Sequence, residues 1–124
     1  MKKRHIRPKA GFTLVEIMIV VAIIGLLAAI AIPNFVKARA TAQANACINN
    51  LRQIDDAANQ WALEKGQKTG NAITMNTDLT PYIKLNSGGK IPGCPAGGNY
   101  TESTVGTSPS CSLSTTVTPN HVLP

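Results

Sequence analysis

The residues able to do covalent or metal chemistry in this 124-residue chain are few: Cys47, Cys94 and Cys111, with His5 and His121. A thiol can attack, ligate or pair with another thiol, and an imidazole can ligate or carry a proton. Their spacing narrows the choice. No Cys-x-x-Cys pair occurs, so neither a zinc ribbon nor a thioredoxin-type redox motif fits. No Ser/His/Asp grouping or phosphate-cradling glycine loop accompanies them, and Gly88-Gly89 and Gly97-Gly98 read as turns. The expectation is a protein that is not an enzyme and needs no cofactor. For the cysteines three arrangements remain. A Cys94–Cys111 disulfide closes a loop of about 18 residues, worth roughly 3 kcal/mol in the loop-entropy account. Cys47 bonded to either of the others is the competing connectivity. A zinc ion held by Cys47, Cys94, Cys111 and His121 is the third, and donors so widely scattered along the chain, without close pairs, speak for it least. The disulfide is therefore expected, and no metal is.

One carboxylate is notable for where it lies. Glu16 is the only charge between Phe12 and Ile32, a window in which every other side chain but that of Thr13 is apolar or, at Gly25, absent. A helix over that window spans about 30 Å, the thickness of a bilayer's hydrocarbon core. Five of the twelve basic residues, Lys2, Lys3, Arg4, Arg7 and Lys9, come before it. By the positive-inside rule, residues 1–11 stay in the cytoplasm and everything after Pro33 crosses. From Phe12 onward seven basic residues face six acidic ones, so no nucleic-acid partner is expected. A carboxylate deep in lipid costs about 2.5–3.5 kcal/mol, so Glu16 needs either a partner or a position at the interface near a positive helix N-terminus. A second reading treats the segment as a secretory signal peptide cut after Ala31, at the Ala29-x-Ala31 pair. That would release a binding module starting at Ile32. Against it stand the length of the apolar run and the place of Glu16.

Gly11 followed by FTLVEIMIVVAIIGLLAAIAIPNF resembles the N-terminus of the type IV pilin and type II secretion pseudopilin family. The resemblance runs from the basic leader to Phe35: a short basic stretch, then Gly, Phe and Thr, a Glu fifth after the Gly, and an apolar run ending in Pro. In that family a membrane-embedded prepilin peptidase cuts after the Gly and methylates the new amine. The resemblance thus implies processing between Gly11 and Phe12, and it implies partners: the peptidase, a membrane assembly platform with its ATPase, the bilayer, and further copies of the chain. It also implies inner-membrane residence with the head outside, then a filament in the periplasm or on the cell surface. Part of this logic is physical. Glycine suits a peptide lying extended in a narrow protease cleft. Cleavage gives Phe12 a cationic amine, which the Glu16 carboxylate of the same chain or of a neighbouring copy can neutralise; the resemblance favours the neighbour, which would fix assembly register. Gly25 and Pro33 both weaken a helix, and related filaments lead one to expect a kink there.

The elements that must position these groups follow from periodicity. Past Pro33, Val36, Ala40, Ala44, Cys47, Leu51, Ile54, Ala58 and Trp61 recur at helical steps of three or four. Glu64-Lys65-Gly66 reads as a stop. The expected organisation is a cleaved leader at 1–11, a membrane and filament-core helix at 12–33, its amphipathic continuation at 34–65, and a small head at 66–124. About half of the head is Gly, Pro, Thr or Ser, too little apolar mass for a core of its own, so it must lean on the helix. Asp78–Ile83 reads as one helical turn with Asp78 near its N-cap. Asn99–Val105 and Ser112–Val117 read as a hairpin around Gly106-Thr107-Ser108-Pro109. The fold class is α+β, pilin-like.

Overall fold

The protein is described by a computed structural model that covers residues 7–101 and 104–124. His5 and the basic residues Lys2, Lys3 and Arg4 lie outside it, as do Glu102 and Ser103 of the first expected strand. The architecture is α+β: α1 over Leu14–Lys65, α2 over Met75–Asp78, β1 at Tyr100–Thr101 and β2 at Ser110–Cys111. Contacts divide the chain into two units, Met1–Val36 and Lys37–Pro124.

Both ends of α1 are set by local chemistry. At its start Thr13 Oγ1 accepts from the Glu16 backbone N–H (3.3 Å), while Glu16 Oε2 accepts from the Thr13 backbone N–H (2.8 Å). This reciprocal capping box satisfies two amides that no preceding turn can bond. At its end Gly66 takes a left-handed φ of 63°, the Gly66 N–H bonds the Leu63 carbonyl and the Gln67 N–H bonds the Ala62 carbonyl. That pair of bonds closes the helix in a Schellman motif. Pro33 lies inside α1. Lacking an N–H, it leaves the Ala29 carbonyl without its usual helical donor.

In the first unit the α1 side chains from Leu14 to Val36 are almost all exposed, Phe12 just before them to 87% and Phe35 to 69%. The second unit treats the same helix differently. Ala44, Cys47, Leu51, Ile54, Ala57, Ala58, Trp61 and Ala62 are buried, a stripe at helical spacing. Of the positions expected on this face, Val36 is exposed and Ala40 half-buried, so the covered stripe begins at Ala44.

Two clusters fill the second unit. Ile54, Ala57, Ala58, Trp61 and Ala62 pack with Ile73, Leu79, Ile83 and Val105. Cys47 and Leu51 pack with Cys94 and Cys111, flanked by Tyr100, Leu113 and Leu123. The head thus borrows its core from the helix.

Two local expectations are corrected. The helical turn lies earlier than Asp78–Ile83: α2 runs Met75–Asp78 with Thr74 at its N-cap. Asp78 closes that turn from the far end, its carboxylate accepting from the Thr74 N–H at 2.7 Å. The second strand is not Ser112–Val117 but β2 at Ser110–Cys111, with Tyr100 opposite Cys111 and Thr101 opposite Ser110. Register follows burial. Cys111 is inside, whereas the Ser/Thr-rich stretch after Leu113 has no alternating apolar set to hold it on a sheet and forms turns.

Candidate functional site

Two groupings carry the residues singled out by the sequence. The first is the start of α1. Ala10, Gly11 and Phe12 precede the helix in irregular, exposed backbone, and among the described residues nothing lies within 4 Å of where a Gly11 side chain would begin. Glu16 follows in the first turn, its carboxylate engaged with Thr13. A carboxylate offers about four acceptor positions, so the capping bond leaves capacity for an amine. Beyond it the helix presents an uninterrupted apolar surface that includes Gly25 and reaches Pro33, long and apolar enough to cross a membrane. The sequence reading missed the capping box, although Thr13-x-x-Glu16 is its written signature.

The second grouping lies in the Lys37–Pro124 unit. Cys47 comes from α1, Cys94 from the loop before β1, Cys111 from β2 and His121 from the tail, and all four are buried. Their ligand atoms all fall within 4.8 Å of one another. Cys94 Sγ is 3.3 Å from His121 Nδ1. The cysteines are free thiols, so the expected Cys94–Cys111 bond is not formed in this structure, although both sulfurs belong to one cluster.

The loop that delivers Cys94 is shaped around its sulfur. Gly97 N–H bonds the Cys94 carbonyl at 2.9 Å, with Gly97 at a φ of 90° that favours glycine. This turn aims the backbone N–H groups of Ala96 and Gly98 at Cys94 Sγ. Gly98 is itself required. A Cβ there would sit 2.7 Å from Cys111 Sγ and 2.9 Å from Leu113 Cγ.

Environment separates the thiols electrostatically. Burial pushes the Cys47 thiol up to about 12, with the hydrogen bonds it donates to Cys94 and Cys111 adding to the rise and Tyr100 opposing it. Burial alone would raise Cys94 too, but the Ala96 and Gly98 N–H groups and the two neighbouring thiols bring it below the usual thiol value. Tyr100, whose phenol accepts from Asn50 Nδ2 at 3.2 Å, is raised, first by burial and then by Cys47. The chemistry of the grouping is that of soft donors converging on a point.

The sequence reading named all four donors but put little weight on their convergence. What brings them together is long-range, the packing of three separate segments onto one helix. The local trace was the Gly93-Cys94-Pro95-Ala96-Gly97-Gly98 stretch, a turn wrapped around a cysteine.

Comparison with known proteins bears on the N-terminal grouping. The family model for the prokaryotic N-terminal methylation motif matches residues 6–32. The type IV major pilin protein PilA of Myxococcus xanthus is 53% identical over 55 residues, 44% of this chain and 25% of that protein. A fimbrial protein of Pseudomonas aeruginosa is 39% identical over 88 residues, 68% of this chain and 57% of the relative. The type II secretion system core protein G of Vibrio cholerae is 28% identical over 113 residues, 81% of this chain and 73% of the relative. The matched stretch thus spans between a quarter and just over half of the pilin and the fimbrial protein. No solved structure matches the chain. With the methylation motif opening its apolar helix, the chain is similar to type IV pilins and to a type II secretion core protein alike.

Proposed function

We propose that the protein is a filament subunit, stored in the inner membrane on the first half of α1 and polymerised after a prepilin peptidase cuts between Gly11 and Phe12. The observation that carries this reading is the junction itself: an exposed Gly11-Phe12 peptide directly ahead of a capped helix whose apolar side chains are left uncovered. In lipid, or among the same helices of other copies, that surface leaves water. Lipid tails are as apolar as leucine, so the transfer into a filament gains from packing and polar pairing rather than from hydrophobicity. Glu16 supplies the pairing, its carboxylate meeting the Phe12 amine of the next copy. Gly25 and Pro33 are the places where the helix yields when the subunit leaves the membrane. The basic leader, with Arg7 and Lys9 nearest the cut, holds the N-terminus in the cytoplasm until cleavage, while the head stands outside.

Determining the N-terminus and intact mass of the protein recovered from its membrane tests the reading. A chain starting at methylated Phe12 is the expected result. A chain starting at Ile32 would remove the rod on which the proposal stands.

A further inference from the structure

We propose that Cys47, Cys94, Cys111 and His121 are the ligands of a tetrahedral zinc ion that ties the head to the second half of α1. This goes beyond the filament reading and does not depend on it, because all four residues lie in the Lys37–Pro124 unit.

The donor set is three sulfurs and one imidazole nitrogen, a composition that structural zinc sites use. With Zn–S bonds of about 2.3 Å, the edge of a tetrahedron is about 3.8 Å. The four ligand atoms here already lie within 4.8 Å of one another, so closure needs their separations to change by about 1 Å. The donors converge at the base of the smaller core cluster, shielded from solvent, with His121 only 2% exposed.

Parity separates a metal from a disulfide. One S–S bond would use two of the three cysteines and leave a buried thiol and a buried imidazole with nothing to do. A zinc ion uses all four groups. Binding expels one proton from each thiol into bulk water. The imidazole coordinates as the neutral ring through Nδ1, its proton on Nε2, and three thiolates with Zn²⁺ leave the centre with a net single negative charge. The gain is structural. A head with little core of its own acquires a joint between helix, loop, β2 and tail.

The test uses the full chain extracted from membranes in mild detergent. Metal analysis of the material as isolated should find one zinc per chain, with the three thiols reactive toward a chromogenic thiol reagent only after unfolding in a chelator. Exchange with Co²⁺ should give the ligand-field bands of a tetrahedral ion together with thiolate charge-transfer absorption. His121→Ala should weaken zinc binding by more than the roughly 10–100-fold typical of an outer-shell loss, while His121→Cys retains it. If the isolated protein is zinc-free with two cysteines oxidised, the proposal is overturned. So is it if Co²⁺ binds octahedrally without charge transfer, or if zinc affinity is the same in His121→Ala as in the parent. The cobalt spectrum of the unsubstituted protein decides even where a variant fails to fold.

Discussion

At the scale of single residues, Glu16 has two jobs that substitution can separate. Its carboxylate caps α1 through Thr13, and in the proposed filament it also offers a charge to an amine. Glutamine serves in a capping box as well as glutamate does, so Glu16→Gln keeps the helix start and removes the charge. We expect Glu16→Gln and Glu16→Ala both to be cleaved at Gly11 and both to give few filaments, whereas Thr13→Ala, losing about 1 kcal/mol of cap, assembles. Filament yield in sheared fractions, read beside the mature mass, checks this; normal yield from Glu16→Gln would leave the cap as the sole role. Gly98 is the other telling residue. With Cys111 Sγ 2.7 Å from the position of its missing Cβ, Gly98→Ala should cost about 1–3 kcal/mol of head stability by overpacking. Thermal melts of the purified chain measure it.

At the scale of elements, α1 changes company without changing conformation. Its buried stripe includes Ala44, Ala57, Ala58 and Ala62, small residues that let irregular loops approach the helix closely. The large members carry the energy. Leu51→Ala or Ile54→Ala should destabilise the head by about 2–5 kcal/mol, and Leu63→Ala, 84% exposed on the same helix, by less than about 0.5 kcal/mol. Urea titrations followed by Trp61 fluorescence would show the contrast. Much of α1 was legible because its apolar run and its periodicity are intrinsic to the chain and its stop at Gly66 is local, whereas the capping box at its start went unread. The small elements were not. α2 is one turn, and Thr74 rather than Asp78 opens it: the Thr74 side chain makes no cap bond, and the Asp78 carboxylate reaches back to the Thr74 amide. The hairpin slipped toward the N-terminus because Cys111, not Leu113, is the residue that the core takes opposite Tyr100. That preference is tertiary and cannot be read from a Thr/Ser-rich run.

At the scale of the whole molecule, the two units ask for different surroundings. The exposed apolar length from Phe12 to Val36 fits lipid or like helices, an expectation that composition alone had raised. The chain should therefore remain with membranes after washing in high salt and enter solution only with detergent; recovery in the salt wash would contradict it. The site in Lys37–Pro124 was half legible: the donors could be named, but their meeting depends on three returns of the chain to the helix. Those returns also set an order in time. In the proposed export the N-terminus stays behind and the chain after the anchoring helix crosses in sequence order, Cys47 first and His121 last, so a partly translocated subunit holds bare sulfurs whose imidazole has not yet arrived. During that interval the head is open to oxidation, and whichever meets the thiols sooner, an oxidant or the arriving tail, decides whether the finished subunit is sound.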